Sequence, residues 1–246
     1  MINVHEQKMK VQASLTDIHV ELGVLPTLTV AQDNMCEFFK LIQCDGLNMV
    51  PKCNCFFVLT KSKVVFDKNI KWLDDFSVKT ELSSKTKIRL NLSTDIVDAS
   101  GEKVATCVQE MCAMDATDRK LRMLNTTLLP EDIECTKIQD IQFEKLMEDF
   151  GEEDFVKEVI VDVSNLDFYK HTNNLEYVRF MLSTLPLDFL DSVDIRDFEI
   201  HYISESKYGD VLKIYRKIKA NSIEFQIVKN GKVITKGHAK FSSRKC

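Results

Sequence analysis

The chain has 246 residues, with 38 acidic against 33 basic side chains and a net charge of −5. Its length suits one large domain or two small ones at roughly 100–200 residues each, and its 44% apolar and 29% charged residues exclude global disorder. Only 7 glycines and 4 prolines occur, with no G-x-G-x-x-G and no G-x-x-x-x-G-K-S/T motif, so folds built on glycine-rich phosphate loops are excluded.

The acidic balance predicts no nucleic-acid partner. No apolar run approaches the ~18 residues of a spanning helix, so no membrane span is expected. The opening residues MINVHEQKMKVQ lack the apolar core of a secretory signal. A cytoplasmic location is the expectation, and with it eight cysteines held as free, mostly buried thiols rather than disulfides. The pair Cys53-Asn54-Cys55 resembles half of a zinc site, but no second pair of ligands accompanies it, so no metal is expected.

In chain order, residues 9–16 alternate like a half-buried strand. Thr29 and Gln32 have capping-box spacing, and Met35, Phe38, Phe39 and Ile42 recur on one helical face, which predicts a helix ended by Asp45-Gly46. Four β-rich runs follow at 56–66, 76–82, 87–97 and 103–114, with a turn at 98–101 between the last two. The acidic stretch 125–154, which contains Pro130, reads as a linker with a short helix at 140–149.

The second half replays the order. A strand at 156–163 leads to a helix over 174–185 and then strands at 197–205, 211–219, 222–228 and 232–241. The turn Lys229-Asn230-Gly231 stands where Ser100-Gly101 stands in the first half, and Asp75 lines up with Asp210. A strand, a long helix and four antiparallel strands wrapping it make the hot-dog arrangement. The expected fold is therefore α+β, with two tandem hot-dog domains at 1–124 and 155–246 joined by the 125–154 linker and packed as a pseudo-dimer within one chain. A monomer or a homodimer both satisfy that arrangement.

The densest polar cluster, Asp167-Phe168-Tyr169-Lys170-His171-Thr172-Asn173-Asn174, lies between a strand and a helix. Asn173 as N-cap would place Glu176 at the reciprocal capping position. The positive end of the helix favours a developing oxyanion there, and a carboxylate four residues before an imidazole is able to orient it. On spacing alone a second reading stands beside this one: polar loop residues that simply cap a helix.

The run Asp167, His171, Asn173, Asn174 and Tyr177, followed about thirty residues later by Glu205-Ser206 and then Val211-Leu212, resembles the signature of acyl-acyl carrier protein thioesterases. Trp72, Asp74, Gly101-Glu102, Asp115 and Lys120 give a looser likeness in the first copy, so the resemblance spans about residues 8–242. It implies a thioester hydrolase that releases free fatty acid from an acyl carrier protein bearing a fatty acyl chain, with no metal and no organic cofactor. It also implies roles: Glu205 as general base or water-positioning carboxylate, His171 hydrogen-bonded to the reacting groups, Asp167 orienting His171, and Tyr169, Asn173, Asn174, Tyr177 and Ser206 at the substrate. Tyr169 stands where the family usually has Asn, and a phenol does not reproduce an amide's paired donor and acceptor.

Two other functions stay open at this point, an acyl-coenzyme A thioesterase and a non-catalytic acyl-binding hot-dog protein. In the first copy Asp17-Ile18-His19 precedes the helix without an Asn pair, and Ile70 stands where the second copy has Glu205. That copy is expected to be structural, with Phe38, Phe39 and Ile42 as core or acyl-chain pocket. His201, on the strand face that Glu205 would share, is a candidate for supporting Glu205. Lys61, Lys63, Lys68 and Lys71, or Lys213, Arg216, Lys217 and Lys219, are candidate docking clusters for an acidic carrier protein.

Overall fold

Runs in which β-branched and aromatic residues alternate with polar ones pair into antiparallel strands that are laid against a helix in each half of the chain. The computed structural model describes residues 4–135 and 141–244. The chain divides into two units, Met1–Gln142 and Phe143–Cys246.

The first unit contains β1 (Val4–Lys10), α1 (Val24–Leu41), α2 (Gly46–Cys53), β2 (Cys55–Phe66), β3 (Asp75–Lys85), β4 (Arg89–Asp98), β5 (Lys103–Asp115) and the short β6 (Leu121–Arg122). The strand order is β1-β3-β4-β5-β2, with β6 on β5. Apolar residues of α1 meet the inward faces of the strands, so Phe38, Leu82, Leu90, Leu92 and Ile96 have almost no contact with solvent. Phe39 stacks on Phe57, with ring centroids 4.9 Å apart.

The second unit contains β7 (Phe155–Ile160), α3 (Asn174–Leu182), α4 (Leu187–Ser192), β8 (Val193–Tyr202), β9 (Val211–Ile218), β10 (Ser222–Lys229) and β11 (Lys232–Ser243), ordered β8-β11-β10-β9-β7. Here α3 approaches the sheet so closely that a Cβ on Gly237 would lie 2.6 Å from the sulfur of Met181. Among the described residues no helix is long and apolar enough to cross a membrane.

Several boundaries differ from the sequence expectation, each for a local reason. The first strand begins at Val4, five residues before the expected start, and gives way at 13–15 to a 3-10 turn. Helix α1 starts at Val24 rather than Thr29. Pro26 occupies the first turn, where a missing N–H costs nothing, and the Thr29 hydroxyl bonds back to the Leu25 carbonyl at 2.9 Å instead of capping. Asp45-Gly46 opens a helix rather than closing one: Asp45 Oδ1 accepts the N–H groups of Leu47 (2.9 Å) and Asn48 (3.2 Å) at the start of α2. Helix α3 stops at Leu182, before the expected 185, and α4 follows.

The helix expected at 140–149 does not form over 141–149; residue 140 lies outside the described residues. The segment has no regular secondary structure, and side chains of the sheet hold it through its backbone. Lys63 reaches the Gln142 carbonyl (3.2 Å), Lys236 the Leu146 carbonyl (3.1 Å) and Lys217 the Asp149 carbonyl (2.6 Å). Fully buried Glu199 accepts the Glu144 N–H at 2.9 Å.

Candidate active site

Asp167 shapes the loop between β7 and α3. Its Oδ1 accepts the backbone N–H groups of Tyr169 (2.9 Å) and His171 (3.1 Å), and its own N–H bonds the His171 carbonyl at 2.8 Å. The turn forces Lys170 to a φ of +64°. Asp167 thus acts on His171 through the backbone, fixing where the imidazole starts from. Asn173 caps α3 as expected, its side chain accepting the Leu175 N–H at 3.0 Å. Glu176 departs from the expected reciprocal cap: its carboxylate accepts the Asn165 side-chain amide at 2.8 Å, while the Asn173 N–H bonds the Asn165 carbonyl.

The second loop, between β8 and β9, brings Glu205 to the imidazole. His171 Nδ1 lies 3.3 Å from Glu205 Oε2, with side-chain exposures of 23% and 40%, so the pair is sheltered yet open to solvent. Two anchors hold this loop. Behind the pair, Ser206 is fully buried: its N–H bonds the Tyr177 hydroxyl (2.9 Å), its Oγ meets Tyr177 Oη (2.8 Å) and Thr172 Oγ1 (2.7 Å), and its carbonyl accepts the Thr172 N–H (2.9 Å). In front, Lys229 donates to the Glu205 carbonyl (2.9 Å) and to Asp210 Oδ2 (3.0 Å), and Asp210 in turn accepts the Lys207 N–H (2.8 Å). Burial pushes the Asp210 carboxyl up, but these hydrogen bonds outweigh it and hold the group below the usual carboxylate range.

The structure thus brings Asp167, His171 and Glu205 together. Tyr169 is 43% exposed, its ring 4.3 Å from the exposed Phe168. Asn174 is the first helical residue, its carbonyl bonded by the Tyr202 hydroxyl at 3.3 Å. Tyr177 and Ser206 are 2% and 0% exposed and bonded to each other, so they brace the loop from within. His201 is not beside Glu205: β8 ends at Tyr202, and the His201 ring bonds Glu199 at 2.6 Å. Lys229, Thr172 and Asn165 carry the scaffold, and only contacts distant in sequence reveal them.

The first unit repeats this scaffold with other chemistry. Asp17 Oδ1 accepts from His19 N–H (2.9 Å) and Glu21 N–H (3.2 Å), and Val20 sits at a φ of +63°. Asp74 Oδ2 accepts the Lys71 N–H at 2.8 Å, as Asp210 accepts that of Lys207. Isolated bridges pair Glu21 with Lys71 and His171 with Lys207. The equivalence therefore runs Asp74 to Asp210, one residue away from the expected Asp75, and it places Glu21 where the second unit has His171 and Asn69, not Ile70, where it has Glu205. Asn69 Nδ2 donates to Glu21 Oε2 at 2.7 Å, and Glu21 is 7% exposed. A buried carboxylate held by an amide replaces the open imidazole–carboxylate pair.

The lysines expected to form docking clusters are largely spoken for. Lys68 pairs with Asp98 and Glu102, Lys61 with Glu110, and Lys217 and Lys219 with Glu148.

The sequence pattern of the acyl-ACP thioesterase N-terminal domain matches residues 2–130, and that of the C-terminal domain matches residues 149–243. The chain is 23% identical over 195 residues to a chloroplastic palmitoyl-acyl carrier protein thioesterase of Gossypium hirsutum, covering 73% of this chain and 46% of that protein. It spans about half the length of the curated relatives it matches. Among solved structures, an acyl-ACP thioesterase from Bacteroides thetaiotaomicron superposes with a TM-score of 0.87 at 17% identity, over 97% of this chain and 98% of that one. The 12:0-ACP thioesterase from Umbellularia californica gives 0.84 at 16% identity, over 98% of each chain. These likenesses show the fold, an α+β chain of two hot-dog domains. With matched patterns over both units, the first alone covering more than half of its residues, the chain belongs to the acyl-ACP thioesterase family.

Proposed function

We propose that this chain hydrolyses the thioester between a fatty acyl group and the phosphopantetheine arm of acyl carrier protein, releasing free fatty acid. The observation that carries this reading is the His171–Glu205 contact at 3.3 Å, held by two loops that are bonded to each other through Thr172 and Ser206 just before the N-terminus of α3. In the step, a water oxygen bonds to the carbonyl carbon while its proton passes to the His171–Glu205 pair. The carbonyl oxygen gathers negative charge, which the positive end of α3 favours. The C–S bond then breaks, and the held proton goes to the departing sulfur to leave a thiol. Tyr169, Asn173 and Asn174 border the place where the thioester would lie, while Asp167, Tyr177 and Ser206 position the pair.

The test is turnover on acyl carrier protein thioesters. Glu205→Gln and His171→Ala are each expected to lower kcat about 10²–10⁴-fold, the range of a positioned acid–base group; variants that release thiol at the parent rate would overturn the assignment. A second reading, hydrolysis of acyl-coenzyme A, draws support from the intramolecular pairing of Lys61, Lys68, Lys217 and Lys219, which leaves those ammonium groups balanced rather than offered to an acidic protein. Rates on carrier-protein and coenzyme A thioesters of equal chain length separate the two, and equal kcat/KM values would remove the carrier protein as the preferred substrate.

A further inference from the structure

The Cys53-Asn54-Cys55 motif lies outside the hydrolytic site, in the first unit. Asn54 ends α2 in the left-handed region, with φ 52° and ψ 37°, and its side-chain amide is tied to Asp115 (3.1 Å) and Thr117 (3.0 Å) across the start of β2. Residues i and i+2 of a regular strand sit about 6–7 Å apart, but this turn folds the two cysteine side chains together, and their Sγ atoms are 3.2 Å apart. Cys53 is half-buried and Cys55 buried, so Cys53 is the more accessible of the two.

We propose that Cys53 and Cys55 are a thiol pair that closes to a disulfide by exchange with a small-molecule disulfide of the glutathione type. Cys53 loses its proton and attacks one sulfur of that disulfide, giving a mixed disulfide and releasing one small thiol. Cys55 then loses its proton and attacks Cys53 Sγ, releasing the second small thiol. Two protein thiols are oxidised and one external disulfide is reduced, so the exchange balances. The lesser burial of Cys53 assigns it the first attack and Cys55 the resolving step; burial, with the Cys53 contact adding to it, pushes the Cys55 thiol up to about 12. Closure also removes the S–H that Cys53 directs at the Met49 carbonyl, 3.1 Å away in the last turn of α2.

Buried Cys44 is the competing partner for Cys53, its own thiol pushed up to about 12 by burial and by Cys53. The experiment treats the full-length protein with oxidised glutathione, alkylates the remaining thiols and maps the tryptic peptide 53–61 by mass spectrometry. The expected result is loss of both alkylation adducts from that peptide together with two hydrogens, unchanged in Cys44→Ser. In Cys55→Ser a glutathione adduct accumulates on Cys53. The proposal is overturned if both thiols of the unsubstituted protein stay alkylated while exposed Cys36 or Cys135 takes up glutathione, or if Cys53 is found joined to Cys44.

Discussion

Lys229 shows how a single side chain far from the His171 loop holds the candidate site in place. It sits at the end of β10, yet its ammonium binds the Glu205 carbonyl and Asp210 together, fixing the loop that presents the carboxylate to His171. Lys229→Met should leave Asp210 without its cation and lower unfolding stability by about 2 kcal/mol, the scale of a hydrogen bond to a charged group. On the proposed thioester it should also reduce kcat more than it raises KM, because Lys229 holds the loop that carries Glu205. Denaturant titration and steady-state kinetics check both parts; an unchanged kcat would show that the loop is held without Lys229. At this scale the residues that meet at the candidate site were legible in the sequence, since Asp167, His171 and Glu205 lie in one recognisable pattern. Lys229 was not, because nothing in the local sequence of a turn says which distant carbonyl its ammonium will meet.

Among the elements, the two site loops share one backbone built from different residues. The third position after the aspartate is left-handed in both, Lys170 in one and Val20 in the other. A left-handed conformation costs a residue with a Cβ roughly 1–2 kcal/mol, and a β-branched side chain suffers most. Val20→Asn should therefore stabilise the protein by about 1 kcal/mol, since Asn tolerates this region and the half-exposed Val20 gives up little buried area. Lys170→Asn should change stability less. Unfolding midpoints in urea measure both, and a destabilised Val20→Asn variant would contradict the strain argument.

The same comparison shows why sequence alignment slipped by one residue in the first unit. Asp74 and Asp75 are adjacent acids, both reasonable matches to Asp210, and the hydrogen bonds separate them: Asp74 accepts the Lys71 N–H and the Val11 N–H as Asp210 accepts those of Lys207 and Val161. The strands were legible because alternation is a local property. The start of α1 was not, because Thr29 has cap chemistry but spends it on the Leu25 carbonyl inside the helix.

For the whole molecule, the order of elements and their duplication came through in the sequence, while the path between the units did not. An acidic, moderately apolar stretch looks helical until the sheet's lysines claim its carbonyls. Under that stretch lies a half-hidden ionic cluster. His238, 7% exposed, places Nδ1 3.0 Å from Glu224 Oε1. The hydrogen bond that His238 donates to Glu224 raises the imidazole above its ordinary 6.5 against the opposing effect of burial, helped by the charges of Glu224, Glu144 and Asp197, while Lys240 pairs with Glu144 nearby. Because the folded value is the higher one, the protonated form's contribution is complete below the unfolded value and fades as pH rises through the folded value. His238→Gln should thus cost more stability near pH 6 than near pH 9, and a gap between parent and variant that does not change with pH would refute this.

The attachment of the 143–150 stretch has a consequence for time as well as for shape. Lysine ammonium groups grip it by its carbonyls at Leu146 and Asp149, and its flank on the β11 side adds the Lys240–Glu144 pair. Such contacts leave the amide hydrogens of 145–150 outside any sheet ladder, although the strands beneath are fully paired. Isotope labelling in deuterated water should therefore show these six positions exchanging within the earliest time points, while β8, β10 and β11 hold their hydrogens until global opening. Slow exchange there would mean that the stretch spends its time in a hydrogen-bonded structure instead. A segment fastened in this way is tightly placed yet chemically open, a part of the molecule whose backbone water reads continuously.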